Sequence, residues 1–249
     1  MSGHNKWAKI KRKKGANDAK RGRLFTRFIK EITIAARDGG GQAGGNPRLR
    51  LAIEKAEASN MPRENITRAI KRGTGELPGV SYEEATYEGY GPGGVALMME
   101  TVTDNKNRTV AEIRNILEKH NGKFGATNSV SYMFHRKGVI SVARSAAAED
   151  DLMAIIIDAG ADDMKTEEDG YQIITAPEHF ETVRQALETK GIKMDEAEIQ
   201  RLPETTIRVE GKEAEQLLKL LDVLEDHEDI QHVYANFDVD EKVLAAFNA

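Results

Sequence analysis

Residues 138–200 run strand, helix, strand, strand, helix, strand, and this order limits the fold of the 249-residue chain more than any other feature. The strands are read at Val139–Val142, Asp162–Lys165, Tyr171–Thr175 and Lys193–Gln200, and the helices at Asp150–Ala159 and Pro177–Lys190. That order is a complete split-βαβ unit. Half-units flank it. Val95–Val102, Arg108–His120 and Val130–Phe134 read strand–helix–strand before it, and Thr206–Val209, Glu213–Leu224 and His232–Val239 read the same after it. Joined, the halves spell the unit a second time. The expected architecture is one ferredoxin-like domain inserted in another, with helices on one face of each antiparallel sheet. Two sequential domains would each own only half a sheet.

The first eighty residues have a different period. Leu24, Phe25, Phe28, Ile29, Ile32, Ala35 and Ala36 recur at helical spacing, and Gly39, Gly40 and Gly41 end the helix. Asn46 and Pro47 make a cap and first turn for a second helix, striped by Leu49, Ala52, Ile53 and Ala56. Pro62 starts a third, with Ile66, Ala69 and Ile70 inward and Gly73 as its stop. Residues 74–81 read as a linker. The expected fold class is therefore multidomain α and α+β. A basic three-helix bundle (1–80) precedes an outer ferredoxin-like domain (81–136 plus 204–249) and an inserted acidic one (137–203).

The formal charge of −5 hides an uneven distribution. Residues 1–80 hold 19 Lys and Arg against 7 Asp and Glu, while the remainder holds 17 against 34. A basic module joined to an acidic body points to a polyanionic partner for the module. Its densest part is Lys6, Lys9, Lys11, Arg12, Lys13, Lys14, Lys20, Arg21, Arg23, Arg27 and Lys30, opposed by Asp18 alone. Phosphate backbones attract such a segment and release counterions on binding. Trp7, the one tryptophan, sits among these charges, placed either to stack on a base or to anchor the arm to the bundle. Arg48, Arg50, Arg63, Arg68, Lys71 and Arg72 could extend the patch along the second and third helices.

Other chemistries find little support. The chain has no cysteine, which excludes disulfides, thiol catalysis and Cys-ligated metals. No apolar run approaches the roughly 18 residues of a membrane span. Residues 1–17 carry no acid, as in a mitochondrial presequence, but Lys6, Trp7 and Ile10 read as the start of a folded module, and a cytoplasmic protein is expected. Gly89-Tyr90-Gly91-Pro92-Gly93-Gly94 matches the dinucleotide fingerprint in letters, yet a strand follows where the anion-binding helix is required. It reads as a tight turn. Thr103-Asp104-Asn105-Lys106-Asn107-Arg108-Thr109 reads first as a helix cap, with Lys106 and Arg108 as secondary phosphate contacts. His227 and His232, among Asp226, Glu228 and Asp229, read as an acidic surface loop and not as a metal site. No Walker sequence, nucleophile elbow or carboxylate pair marks a catalytic residue.

Several segments together resemble the start and middle of YebC/PmpR-family proteins. They are Ser2-Gly3-His4-Asn5-Lys6-Trp7, Asp18-Ala19-Lys20-Arg21-Gly22, Asn46-Pro47-Arg48-Leu49-Arg50, Asn60-Met61-Pro62, Ala69-Ile70-Lys71-Arg72-Gly73, Tyr87–Gly94 and Thr103–Thr109. The resemblance spans nearly the whole chain. It implies a helical N-terminal module and two nested α/β domains, no enzymatic activity and no cofactor. Members are usually assigned as DNA-binding transcriptional regulators. Mitochondrial relatives act as translational activators, and bacterial ones are linked to relief of ribosomes stalled on proline-rich sequences. The chain departs from the family pattern at Asn121 and Asn128, where glycines are common. Asparagine best replaces glycine at positive φ, so both turns are expected to survive.

The expected function is a non-enzymatic, nucleic-acid-binding regulator of gene expression. DNA is the partner that the resemblance implies. Ribosomal RNA, with ribosomal proteins meeting the acidic domains, is the alternative, because the bundle offers few base-reading candidates, such as Asn5, Asn17 and Arg27. A ligand-sensing α/β module rests on fold analogy alone.

Overall fold

A computed structural model describes Trp7, residues 18–167 and residues 170–247. The chain forms two compact units, Tyr132–Thr206 and Trp7–Ser131 with Ile207–Ala249.

The second unit begins with helices α1 (Asp18–Gly39), α2 (Pro47–Ala58) and α3 (Arg63–Gly73). Their apolar stripes meet as expected. Ile32, Ala35, Ala36, Leu49, Ala52, Ala56, Ile66 and Ala69 form one buried cluster, with Phe25, Phe28, Ile29, Ile53 and Ile70 packed against it. The Asn46 carboxamide oxygen accepts from the Leu49 N–H, while its Nδ2 donates to the Ala35 carbonyl at 2.7 Å and to that of Gly40 at 2.9 Å. One side chain caps α2 and ties it to the end of α1. At Gly73 a Cβ would lie 2.3 Å from the Thr33 carbonyl oxygen, so α1 and α3 approach this closely only over glycine.

The outer sheet comes from β1 (Glu83–Tyr90), β2 (Ala96–Thr103), β3 (Lys123–Phe124) and β9 (Ile230–Ala235), in the order β3-β1-β2-β9. Every pairing is antiparallel. Helices α4 (Lys106–Lys119) and α7 (Gly211–Glu225) contribute Ile113, Leu117, Leu217, Leu218, Leu220, Leu221 and Leu224 to a core that also holds Leu97, Met99 and Val233. Short β8 (Ile207–Arg208) and β10 (Phe237–Asp238) pair in parallel outside this sheet, and α8 (Glu241–Phe247) follows.

The Tyr132–Thr206 unit carries β4 (Phe134–Ala143), α5 (Glu149–Asp158), β5 (Asp163–Thr166), β6 (Gly170–Thr175), α6 (Phe180–Thr189) and β7 (Met194–Pro203). Its sheet order is β5-β6-β4-β7, entirely antiparallel. This is the ferredoxin-like arrangement expected from the element order.

The outer domain reaches a similar sheet differently. The slot expected for Thr206–Val209 is filled by Glu83–Tyr90, a strand that hydrophobic pattern does not announce. Its sequence EEATYEGY has two exposed acids at its start and a third, Glu88, buried, with Ala85, Tyr87 and Tyr90 only partly buried. Val130–Phe134 is not a strand; a 3₁₀ turn at Ser131–Met133 leads into β4. The His232–Val239 run divides at Asn236, whose carboxamide oxygen accepts from the Ala96 N–H at 2.7 Å. The glycine motif is the expected turn. Gly91 N–H donates to the Val95 carbonyl, Gly93 and Gly94 have φ of 72° and 73°, and strand β2 follows. Asn121 and Asn128 adopt φ of 59° and 63°, so both turns take the positive-φ conformation expected of them.

Glu88 on β1 is buried, and its carboxylate accepts from the N–H groups of Asn128, Val130 and Ser131 at 2.8, 2.6 and 2.9 Å. Burial pushes its pKa up, but the three backbone donors outweigh this and hold it below the ordinary carboxylate value. Its contribution to stability is therefore complete above the unfolded pKa of about 4.3 and is lost as pH falls through the lower folded value. Glu88→Gln is expected to lower stability by about 1–3 kcal/mol at pH 7. The difference from wild type should shrink toward pH 3, as measured by urea denaturation across pH.

Candidate nucleic-acid interface

The basic residues of α1 recur at 20, 23, 27 and 30, which is one helical face. That face lies on the C-terminal end of α7. Lys20 and Arg23 reach the Asp226 carboxylate at 3.3 and 3.4 Å. Arg27 donates to the Glu225 carbonyl at 2.9 Å and to the Gln231 carbonyl. Lys30 is buried and pairs with the Asp229 carboxylate. A helix C-terminus offers unpaired carbonyls and the negative end of the helix dipole, so cations are favoured there. Burial pushes the Arg27 guanidinium below its ordinary pKa, against the pull of Glu225 and Asp226.

Asp229 is the centre of this contact. Its side chain has no exposure, and besides Lys30 it accepts from Arg108 at 2.9 Å and from the Thr109 hydroxyl at 2.8 Å. Burial pushes the Asp229 carboxyl up, but Lys30, Arg108 and Thr109 more than reverse this and hold it at about 2. The surface acidic loop expected around His227 is corrected here: the turn folds inward because its last acid is the counter-charge for two elements. Glu112, His227 and Asp229 are close enough to share a cation. The set does not fit a metal ion, since Lys30 and Arg108 already take the Asp229 oxygens.

Trp7 is also turned inward. It is 1% exposed, lies in the outer-sheet core, donates its indole N–H to Glu225 at 2.9 Å and meets the Phe247 ring at 5.4 Å. The reading of Trp7 as a base-stacking residue is corrected: no face of the ring is open. Trp7 itself is anchored to α7 and α8 and not to the bundle.

The remaining candidates divide by partner. Lys6, Lys9, Lys11, Arg12, Lys13 and Lys14 lie outside the described residues. Arg21 is exposed, its guanidinium 5.9 Å from the Phe25 ring centroid. Arg48 clamps Glu31 at 2.7 and 3.0 Å and Glu84 at 2.6 Å, and Arg50 is half-buried. Arg68 pairs with Glu64 at 2.8 Å and Arg63 with Glu57 at 3.7 Å. Lys106 pairs with Glu83 at 2.5 Å, and Arg108 also reaches Asp104 at 2.8 Å. Asn105 caps α4 by accepting from the Arg108 N–H, the expected capping role. Lys71 and Arg72 are exposed on α3. Sequence reasoning missed Glu225 and took Asp226 and Asp229 for a surface loop; the signal was an acidic run directly after an amphipathic helix.

Among the described residues no helix is long and apolar enough to cross a membrane. Residues 5–76 match the TACO1/YebC protein N-terminal domain, and residues 82–237 match the TACO1/YebC second and third domain. A protein of Desulfosudis oleivorans is 56% identical over 98% of this chain and 99% of its own length. One of Geobacter sulfurreducens is 56% identical over 96% of each chain. Both carry the name "Probable transcriptional regulatory protein". The crystal structure of the conserved hypothetical protein Aq1575 from Aquifex aeolicus superposes with a TM-score of 0.80 at 46% identity, covering 90% of this chain and 92% of that one. With both domain matches and full-length relatives above half identity, the chain belongs to the TACO1/YebC family.

Proposed function

We propose that this protein is a non-enzymatic, DNA-binding regulator of transcription that holds nucleic acid through residues 1–80. The observation that carries the reading is the concentration of 19 cations against 7 acids in those residues, in a chain whose relatives are named as transcriptional regulators. Residues 81–136 with 204–249 form the outer domain and 137–203 the inserted one, and the acidic excess of each disfavours nucleic acid on it. With Lys20, Arg23, Arg27 and Lys30 turned to α7, the phosphate contacts fall to Lys6, Lys9, Lys11, Arg12, Lys13 and Lys14, together with Arg21, Lys71 and Arg72.

One observation favours ribosomal RNA as a second target. Arg27, a base-reading candidate, is committed to two main-chain carbonyls, which narrows the base-reading inventory to Asn5 and Asn17 and shifts recognition toward phosphate and shape. Changing Lys11, Arg12, Lys13 and Lys14 together to Ala is expected to weaken every nucleic-acid sequence alike. The log–log salt slope should fall by about 3–4, at roughly 0.7–0.9 per lost phosphate contact. Unchanged affinity and slope would sink the proposal. Crosslinking in cells then separates the targets: recovered promoter fragments support transcription, and recovered ribosomal RNA supports the second target.

A further inference from the structure

Arg72, like Arg21 and Lys71, differs from most cations of the helical module. Lys30, Arg48, Arg63 and Arg68 each lie within 4 Å of a carboxylate. The Arg72 guanidinium has no hydrogen bond or ion pair among the described residues. It lines a cavity of about 280 Å³ bounded by α1, the end of α3 and the segment that leads to β1. Arg37 lines the same cavity. Its Nε is held by Asp38 at 2.8 Å and its Nη1 by the Tyr82 carbonyl at 2.5 Å, which leaves Nη2. Leu77, Val80 and Tyr82 supply apolar wall, and no carboxylate lines the space. Val80 is 57% exposed, an unusual setting for a valine beside two arginines. Gly79 permits the arrangement: a Cβ there would meet the Arg72 Cγ and Cδ at 3.2 Å, so the linker lies flat along the arginine stem.

We propose that this cavity binds one nucleotide unit, its phosphate held by Arg72 and Arg37 and its sugar or base laid against Val80 and Tyr82. Guanidinium groups suit phosphate because their planar donors match its oxygens, and an aromatic wall accepts any base. The volume sits just under the roughly 300–1,000 Å³ of ordinary ligand sites, which suits a single unit and not a longer stretch. The unit is either part of a bound strand or a free mononucleotide. In the first case the inference rests on the nucleic-acid reading above and locates a contact within it.

The test uses the full-length protein, a labelled single-stranded oligonucleotide and adenosine monophosphate. Arg72→Gln is expected to weaken strand binding about 5–10-fold near 0.1 M salt and to lower the salt slope by about 0.7. Ser81→Trp, which fills the cavity without changing a charge, should weaken binding to a similar degree. Competition by the mononucleotide, lost in both variants, identifies a free nucleotide as occupant; strand weakening without such competition identifies the strand. If the wild type binds both probes and neither variant differs from it, the cavity proposal is overturned while the nucleic-acid reading stands. If the wild type binds no strand, that reading falls, and the mononucleotide decides alone: binding that Arg72→Gln weakens about tenfold keeps the cavity site, and no binding overturns it.

Discussion

Asp229→Ala is expected to lower the unfolding free energy by about 3–5 kcal/mol, because it strips the partner from a buried charge. Lys30 would remain 4% exposed, with the Glu228 carbonyl at 3.2 Å as its one hydrogen-bond acceptor among the described residues. Arg108 suffers less, since its side chain is 39% exposed and retains Asp104. Thr103 and Thr109 keep their mutual hydrogen bond of 2.8 Å. The loss therefore falls mainly on Lys30, and a double change of Asp229→Ala with Lys30→Met should recover a large part of it. Denaturant unfolding of the four species gives the coupling directly. Acid provides an independent check. The Asp229 carboxyl titrates at about 2 when folded and near 3.9 when unfolded, so its contribution is complete above pH 4 and disappears as pH falls through 2. The stability gap between wild type and Asp229→Ala should narrow across that range.

Trp7→Ala is expected to cost about 3–5 kcal/mol, the usual range for emptying a large aromatic site in a core. The indole fills space against Phe247, and its removal takes one N–H donor from Glu225. Trp7→Phe should restore most of the packing and none of that hydrogen bond. A base-stacking tryptophan would behave otherwise, with stability kept and affinity reduced. Since the chain has one tryptophan, its fluorescence separates the cases. Emission should be that of a buried indole, shift to the red on unfolding, and stay unquenched when nucleic acid is added to the folded protein. Quenching on addition would contradict the buried anchor.

Much of this architecture was legible in the residues. The bundle stripes, the Asn46–Pro47 cap and the six elements of the Tyr132–Thr206 unit follow from period and punctuation, because each element buries one face locally. Two things were not legible. β1 was hidden because strand pairing tolerates Glu83, Glu84 and Glu88, and because Glu88 is buried by main-chain donors some forty residues on, not by apolar neighbours. The contact of α1 with α7 was hidden because charge counts carry no direction. A basic stripe facing a phosphate and one facing a carboxylate are the same letters. What distinguishes them is a partner about two hundred positions away, which no local pattern reports.

The sheet order has a consequence for the order of synthesis. Three strands of the outer sheet lie within residues 83–124, so they can pair as soon as they emerge. β9 begins at Ile230, after the whole of the Tyr132–Thr206 unit. At elongation rates of roughly 5–20 residues per second, about 5–20 seconds separate the two events. The turn that carries Asp229 arrives with β9, 199 residues after Lys30. The groups that seat α1 are among the last made, and until they appear the cationic face of the nascent helix stands open to the polyanion that is synthesising it.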